Sequence, residues 1–217
     1  MSERILHCFA DTGVESEPLG AYGDVVRVGL DPRDSNDSQP IKADANALPF
    51  ADDTTFAFGL FHPPCTRWSD MPDAGDAPNL IPLARELGEQ YCDHYVIENK
   101  PAAPLRDPVR LKGDMFGLPI EYERAFEASF HVEQPAIHMT LGTECSTYYY
   151  SDRSTEWWHS VKGVSGDYPK QRLAKSGTPA AYVHYLMRAW LRATVDDGHA
   201  RSKASEMHAA TGGGGGA

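Results

Sequence analysis

TFAFGLFHPPC, residues 55–65, is a short apolar run that ends in two prolines and a cysteine. An apolar run bounded by turn formers reads as a buried strand, and the prolines stiffen the backbone that leaves it. The pattern recurs on both sides. RILHCF (4–9) runs into ADTG, and VVRVGL (25–30) is closed by Asp31-Pro32. HYVIEN (94–99) follows LIPLARELGEQYCD (80–93), whose apolar residues fall at helical spacing. Strands alternating with helical or loop segments predict an α/β domain with a mostly parallel sheet. Such sheets bind ligands outside the carboxyl ends of their strands. Those ends here are ADTG, LDPRD, HPPC and ENK, all rich in polar, turn-forming or reactive residues.

The rest of the chain is less regular. Residues 33–40 read as a loop by composition and 66–79 as a long surface loop. Residues 109–130 hold a Gly-Leu-Pro turn and a strand pair. Residues 131–172 carry Tyr148-Tyr149-Tyr150 and Trp157-Trp158, the tryptophans read as core. A helix is expected over 178–193, with Thr178 as N-cap and Pro179 in its first turn. The domain reading is a core at 1–130, a small second region at 131–172, a returning helix at 173–193 and a disordered tail at 194–217.

Length and composition narrow the class. The chain has 217 residues, suited to one ordinary domain. Asp and Glu number 31 against 20 Lys and Arg, a formal net charge of −11, so any nucleic-acid contact must be local. Arg67, Arg106, Arg110, Lys112, Arg153, Lys162, Lys170 and Arg172 are the candidates for a positive face, against an alternative of ordinary solvated surface. No apolar run is long enough for a membrane span, and no signal peptide is expected, which places the chain in the cytoplasm. Cys8, Cys65, Cys92 and Cys145 lie far apart with no CxxC pair. That spacing argues against a disulfide framework and a zinc-cysteine site, and no metal is expected.

Three elements carry candidate chemistry. Cys65 is presented on a rigid turn at a strand end, either as a nucleophile or as a structural thiol. Glu98 follows an apolar Val-Ile at the next strand end, where an acid is poor core filler. Together they offer a nucleophile and an acid at neighbouring strand ends. In the amino-terminal half, a Gly-containing turn is followed by Asp31, placed to accept from ribose hydroxyls. Asp44, in KADANALPF, is either a contact to an adenine amino group or a turn cap.

In this order the residues resemble the DNA cytosine-5 methyltransferases, particularly the compact phage-type members. The family's PPC motif matches Pro63-Pro64-Cys65, and its ENV motif matches Glu98-Asn99-Lys100, with lysine for valine. Its F-x-G-x-G turn matches Phe9 to Gly13, with one glycine replaced by Asp11. Its QxRxR element matches YERAF only at Arg124; Tyr122 stands in place of the earlier arginine, and His7 where the family often has an acid. The segment SGTPAAYVHYLMRAWL resembles the last family motif and its helix, so the likeness spans roughly residues 4–192.

The resemblance implies a Rossmann-like methyltransferase sheet with a small irregular second lobe, acting as a monomer on DNA. It implies S-adenosylmethionine as cofactor, held by Phe9, Ala10, Asp11, Gly13, Asp31, Asp44 and Pro63. It also implies catalysis by Cys65, Glu98 and Arg124 through a covalent adduct with cytosine C6. Trp68 and Ser69 would line a loop that closes over a flipped base. Competing readings are a homologue that binds DNA or cofactor without turnover, an amino-methylating enzyme, and a cysteine hydrolase. The hydrolase reading ranks last, because no nucleophile elbow surrounds Cys65.

Overall fold

A computed structural model describes residues 2–69, 72–136 and 145–211; for Cys145, Tyr148, Tyr149 and residues 197–211 it describes the backbone alone. The strands are β1 (Arg4–Cys8), β2 (Asp24–Gly29), β3 (Gln39–Lys42), β4 (Phe56–Phe61), β5 (Cys92–Asn99), β6 (Val109–Lys112), β7 (Ile120–Glu121), β8 (Glu123–Ala128) and β9 (Cys145–Ser146). Seven of them form one sheet in the order β3-β2-β1-β4-β5-β8-β6. The strands β1 to β5 pair in parallel, and β8 lies antiparallel to both β5 and β6. The mostly parallel Rossmann-like sheet expected from the sequence is therefore present.

Successive residues of each strand feed opposite faces of the sheet. Ile5, Phe58, Leu60 and Val96 join one buried cluster with Tyr182, Val183, Leu186, Met187 and Trp190 of the helix α5 (Ala180–Thr211). Leu6, Cys8, Val28, Phe61 and Ile97 join a second cluster with Ala84, Leu87 and Tyr91. Those three lie on α2 (Ile81–Tyr91), which connects β4 to β5; a shorter helix, α1 (Ser16–Leu19), follows β1. Burial on both faces explains why these strands read as continuous apolar runs. The strand order reverses between β1 and β4, and their carboxyl ends diverge there into a crevice.

Several expectations are corrected. β3 lies in and just beyond the stretch read as loop, because Gln39 to Lys42 pair with β2 despite the preceding polar run. The strand pair at 109–130 is β6 with β8, while β7 leaves the main sheet to pair with β9. The 131–172 region continues through α3 (Thr155–Lys162) into α4 (Lys170–Lys175), which straddles the boundary set at 172. The helix α5 runs on to Thr211, past residue 194, where a disordered tail was expected. Ala, Lys, Met and Glu in 200–211 are good helix formers, and their propensity outweighs their low hydropathy. Residues 212–217 lie outside the described residues. The Thr178 hydroxyl makes no capping bond; its backbone N–H instead donates to Glu15 Oε1 at 2.6 Å. Trp158 is fully buried, as read from the sequence. Among the described residues, no helix is long and apolar enough to cross a membrane.

Candidate functional site

The turn after β1 forms one wall of the crevice. Phe9 sits at φ +60°, a left-handed conformation that side chains other than glycine rarely enter. Gly13 is also left-handed, at φ +65°, and a Cβ there would overlap the Arg27 side chain. Arg27 is fully buried and lies across the turn. Its Nη1 donates to the carbonyls of Ala10 (3.3 Å) and Asp11 (3.0 Å), its Nη2 to that of Arg33, and its Nε to Ser38 Oγ (3.0 Å). Where the resembling motif has glycine, Asp11 Oδ1 accepts the Asp31 N–H at 2.8 Å. That carboxylate ties the β1 turn to the end of β2 and holds Asp31 at the crevice. The Asp31 side chain is exposed, with Lys42 Nζ 3.5 Å away.

Asp44 behaves as the turn-cap alternative has it. Its Oδ1 accepts from Asn46 N and Nδ2, both at 2.9 Å, and these bonds hold its carboxyl below the usual range. Ala43 and Ala45 on either side line the crevice, whereas Asp44 does not.

The opposite wall comes from β4 and β5. Asn99 Nδ2 donates to the Pro63 carbonyl at 3.0 Å, fixing the proline turn to the end of β5. Cys65 follows, half-buried, at the start of a short 3-10 turn over Thr66–Trp68. Glu98 is buried between two cations or potential cations. Its Oε2 accepts from His62 Nδ1 at 2.9 Å, and its Oε1 is 2.8 Å from Arg124 Nε on β8. Burial alone would raise the Glu98 carboxyl, but the His62 hydrogen bond and the Arg124 charge outweigh it and hold it low. Burial would lower the Arg124 guanidinium, yet Tyr122, Glu98 and the nearby Cys65 thiol push it up. Arg124 is therefore charged, and its Nη2 donates to the Lys175 carbonyl at 3.0 Å.

Tyr122, which replaces an arginine of the resembling motif, lies beneath Arg124, whose Cζ is 4.4 Å from its ring centroid. Lys162 Nζ is 3.4 Å from the same centroid and donates to the Gly177 carbonyl at 2.6 Å. Lys162 is fully buried, and that burial, with Arg124 nearby, pushes its amine well below the usual lysine range. Lys162 is thus a core residue and not part of a positive face. Arg67 is likewise committed, to the carbonyls of Gly75 (2.5 Å) and Ala77 (2.8 Å). Of the remaining basic candidates, Arg172 lines the crevice.

The two walls enclose one cleft of about 460 Å³. Phe9, Ala10, Asp11, Gly13, Asp31, Pro63, Cys65, Glu98 and Arg124 all line it, whereas Asp44 and the expected loop residues Trp68 and Ser69 stand outside. The sequence reading did not assign His7, Glu15, His62, Asn99 or Arg172 to the site. His62 had a visible signal, since it sits in HPPC beside the candidate nucleophile. Glu15 had none, because it enters the cleft from the α1 turn only after folding.

No family model matches the chain, and no curated protein does. Solved structures do. A methyltransferase of Entamoeba histolytica aligns at 9% identity over 88% of this chain and 98% of its own, with a TM-score of 0.56. The Dnmt2 methyltransferase of S. pombe aligns at 10% identity over the same shares, with a TM-score of 0.57. A DNA modification methyltransferase encoded within an E. coli prophage aligns at 18% identity over 65% of this chain, with a TM-score of 0.48. The match spans about half of that prophage protein, 53% of its chain. This chain therefore has the fold of the Entamoeba histolytica and S. pombe methyltransferase structures.

Proposed function

We propose that the protein transfers a methyl group from S-adenosylmethionine to C5 of cytosine in DNA. One observation carries this reading: Cys65 shares a cleft with a buried carboxylate, Glu98, which Arg124 and His62 hold ionised from two sides. The cleft volume falls in the usual range for small-molecule sites, about 300–1,000 Å³. The lining suits a nucleoside, with the exposed Asp31 carboxylate available to ribose hydroxyls and Ala43, Ala45 and Pro63 supplying apolar surface.

Bound S-adenosylmethionine supplies a sulfonium methyl group. Cytosine C5 is a poor nucleophile until a thiolate adds to C6. In this reading Cys65 Sγ forms that bond and leaves C5 enamine-like, able to take the methyl group. Addition moves charge into the ring toward N3. Glu98 receives the exocyclic amine, and the Arg124 guanidinium beside it lies where developing charge needs a cation. Loss of the C5 proton to solvent water and cleavage of the Cys65–C6 bond then release 5-methylcytosine and return the thiolate, with S-adenosylhomocysteine as the other product. Asn99 positions the nucleophile through the Pro63 carbonyl. The target base must leave its stack, at about a few kcal/mol for duplex DNA.

Incubation with DNA containing 5-fluorocytosine and S-adenosylmethionine tests the reading. A covalent protein–DNA complex that forms with wild type and not with Cys65→Ala is expected. Methyl transfer retained in full by Cys65→Ser would sink it. Cofactor binding without any transfer would favour the non-catalytic homologue instead.

A further inference from the structure

Beside Cys65 and Glu98 the cleft is also lined by His7 and Glu15, which methyl transfer does not use, and by His62, of which it uses only the Nδ1 side. His7, on β1, is fully buried, and its Nδ1 lies 2.7 Å from Ser16 Oγ. His62, after β4, has its Nδ1 at 2.9 Å from Glu98 Oε2. Glu15 is buried, and its Oε1 accepts the Thr178 N–H at 2.6 Å. One donor atom of each group is thus held by a partner. The other atoms, His7 Nε2, His62 Nε2 and Glu15 Oε2, all lie within 4.8 Å of one another.

Both Nε2 atoms are buried with no hydrogen-bond partner among the described residues. Unpaired buried polar atoms are rare and call for an explanation. Because an ionised carboxylate only accepts, His62 must place a proton on Nδ1, which leaves a lone pair on Nε2 when the ring is neutral. Two buried imidazole nitrogens without a hydrogen-bond partner and a carboxylate oxygen thus share one small volume.

We propose that His7, Glu15 and His62 bind one divalent transition-metal ion of the zinc class in the cleft. Two imidazoles and one carboxylate suit zinc, iron or cobalt better than magnesium or calcium. Three protein ligands leave a position open toward the cleft. The Ser16 hydroxyl and the Glu98 carboxylate act as the outer partners that orient metal-bound imidazoles. Donors around a tetrahedral ion with ~2 Å bonds lie about 3.3 Å apart, so small side-chain rotations suffice. The ion would join β1, the α1 turn and the end of β4, the three segments that frame the cleft. Cysteine spacing alone argued against a metal; this site uses no cysteine.

The test is titration of the full, metal-stripped chain with Co(II), followed by visible absorption, and competition with Zn(II). One Co(II) per chain, displaced by Zn(II), is expected. His7→Gln and His62→Gln should each weaken uptake by more than about 100-fold, and Ser16→Ala by about 10-fold. Cys65→Ser should bind as wild type does, which separates this site from the fate of the methyl-transfer reading. Ser16→Ala keeps the test valid if His7→Gln does not fold. Absence of stoichiometric uptake by wild type overturns the proposal. So does uptake that survives in every folded His7, His62 and Ser16 variant, or uptake that Cys65→Ser abolishes.

Discussion

The Asn99 amide and the Pro63 carbonyl, 36 positions apart, meet at 3.0 Å in a buried hydrogen bond that joins the last residue of β5 to the turn bearing Cys65. Pro63 has no N–H of its own, so its carbonyl is the turn's main anchoring group. Removing the donor leaves that oxygen buried and unpaired. Asn99→Ala is expected to lower stability by about 1–3 kcal/mol and to loosen the nucleophile. Methyl-transfer rate should fall more than cofactor affinity, read by single-turnover kinetics beside calorimetry. Equal losses in both would show that Asn99 supports the whole cleft and not the turn.

The described thiols differ in their surroundings. Burial pushes the Cys8 thiol up to about 12, only partly offset by the Phe9 N–H. Burial likewise pushes Cys92 up, with Cys8 and Asp93 adding to it. Cys65 is half-buried at the cleft. Thiolates, not thiols, react with alkylating agents. Iodoacetamide at neutral pH is expected to modify Cys65 first, with Cys8 and Cys92 labelled only after denaturation. Peptide mass mapping reads the order.

The parts of the fold legible in the sequence were those set by local pattern. TFAFGLF and HYVIEN lie on strands because buried strands need unbroken apolar runs, and HPPC marks a strand end because proline cannot continue the ladder. Cys65 and Glu98 were legible for the same reason: strand ends of a parallel sheet share one edge. What depended on distant contacts was not legible. β3 is defined by its pairing with β2, not by its own polar composition. Lys162 reads as surface by residue type, yet the Tyr122 ring and the Gly177 carbonyl receive it in the core. Asp11 reads as a lost glycine, while its carboxylate reaches Asp31, 20 residues on.

Gly13 tests the cofactor wall. It combines a left-handed backbone with direct contact between its Cα face and Arg27. Gly13→Ala adds conformational strain of about 1–3 kcal/mol and displaces the guanidinium that holds the Ala10 and Asp11 carbonyls. Both thermal stability and S-adenosylmethionine affinity should fall, the latter measured by calorimetry. Unchanged affinity in a destabilised variant would place the cofactor away from this turn.

Glu17 links the second lobe to the sheet domain. Its Oε1 accepts from Ser165 N (2.7 Å) and Oγ (2.8 Å), and its Oε2 from Gly166 N (2.9 Å) and Tyr168 Oη (2.9 Å). Burial alone would raise this carboxyl, but the bonds from Gly166, Ser165 and Tyr168 outweigh it and hold it below the usual range. A depressed folded-state pKa means that the unfolded chain binds the proton first as pH falls. The stabilisation is therefore complete above the unfolded value of about 4.3 and is lost as pH drops through the lower folded value. Thermal midpoints of wild type and Glu17→Gln between pH 7 and pH 2 should differ most at neutral pH and converge in acid. A gap that stays constant across the range would mean that the carboxylate charge contributes nothing at this junction.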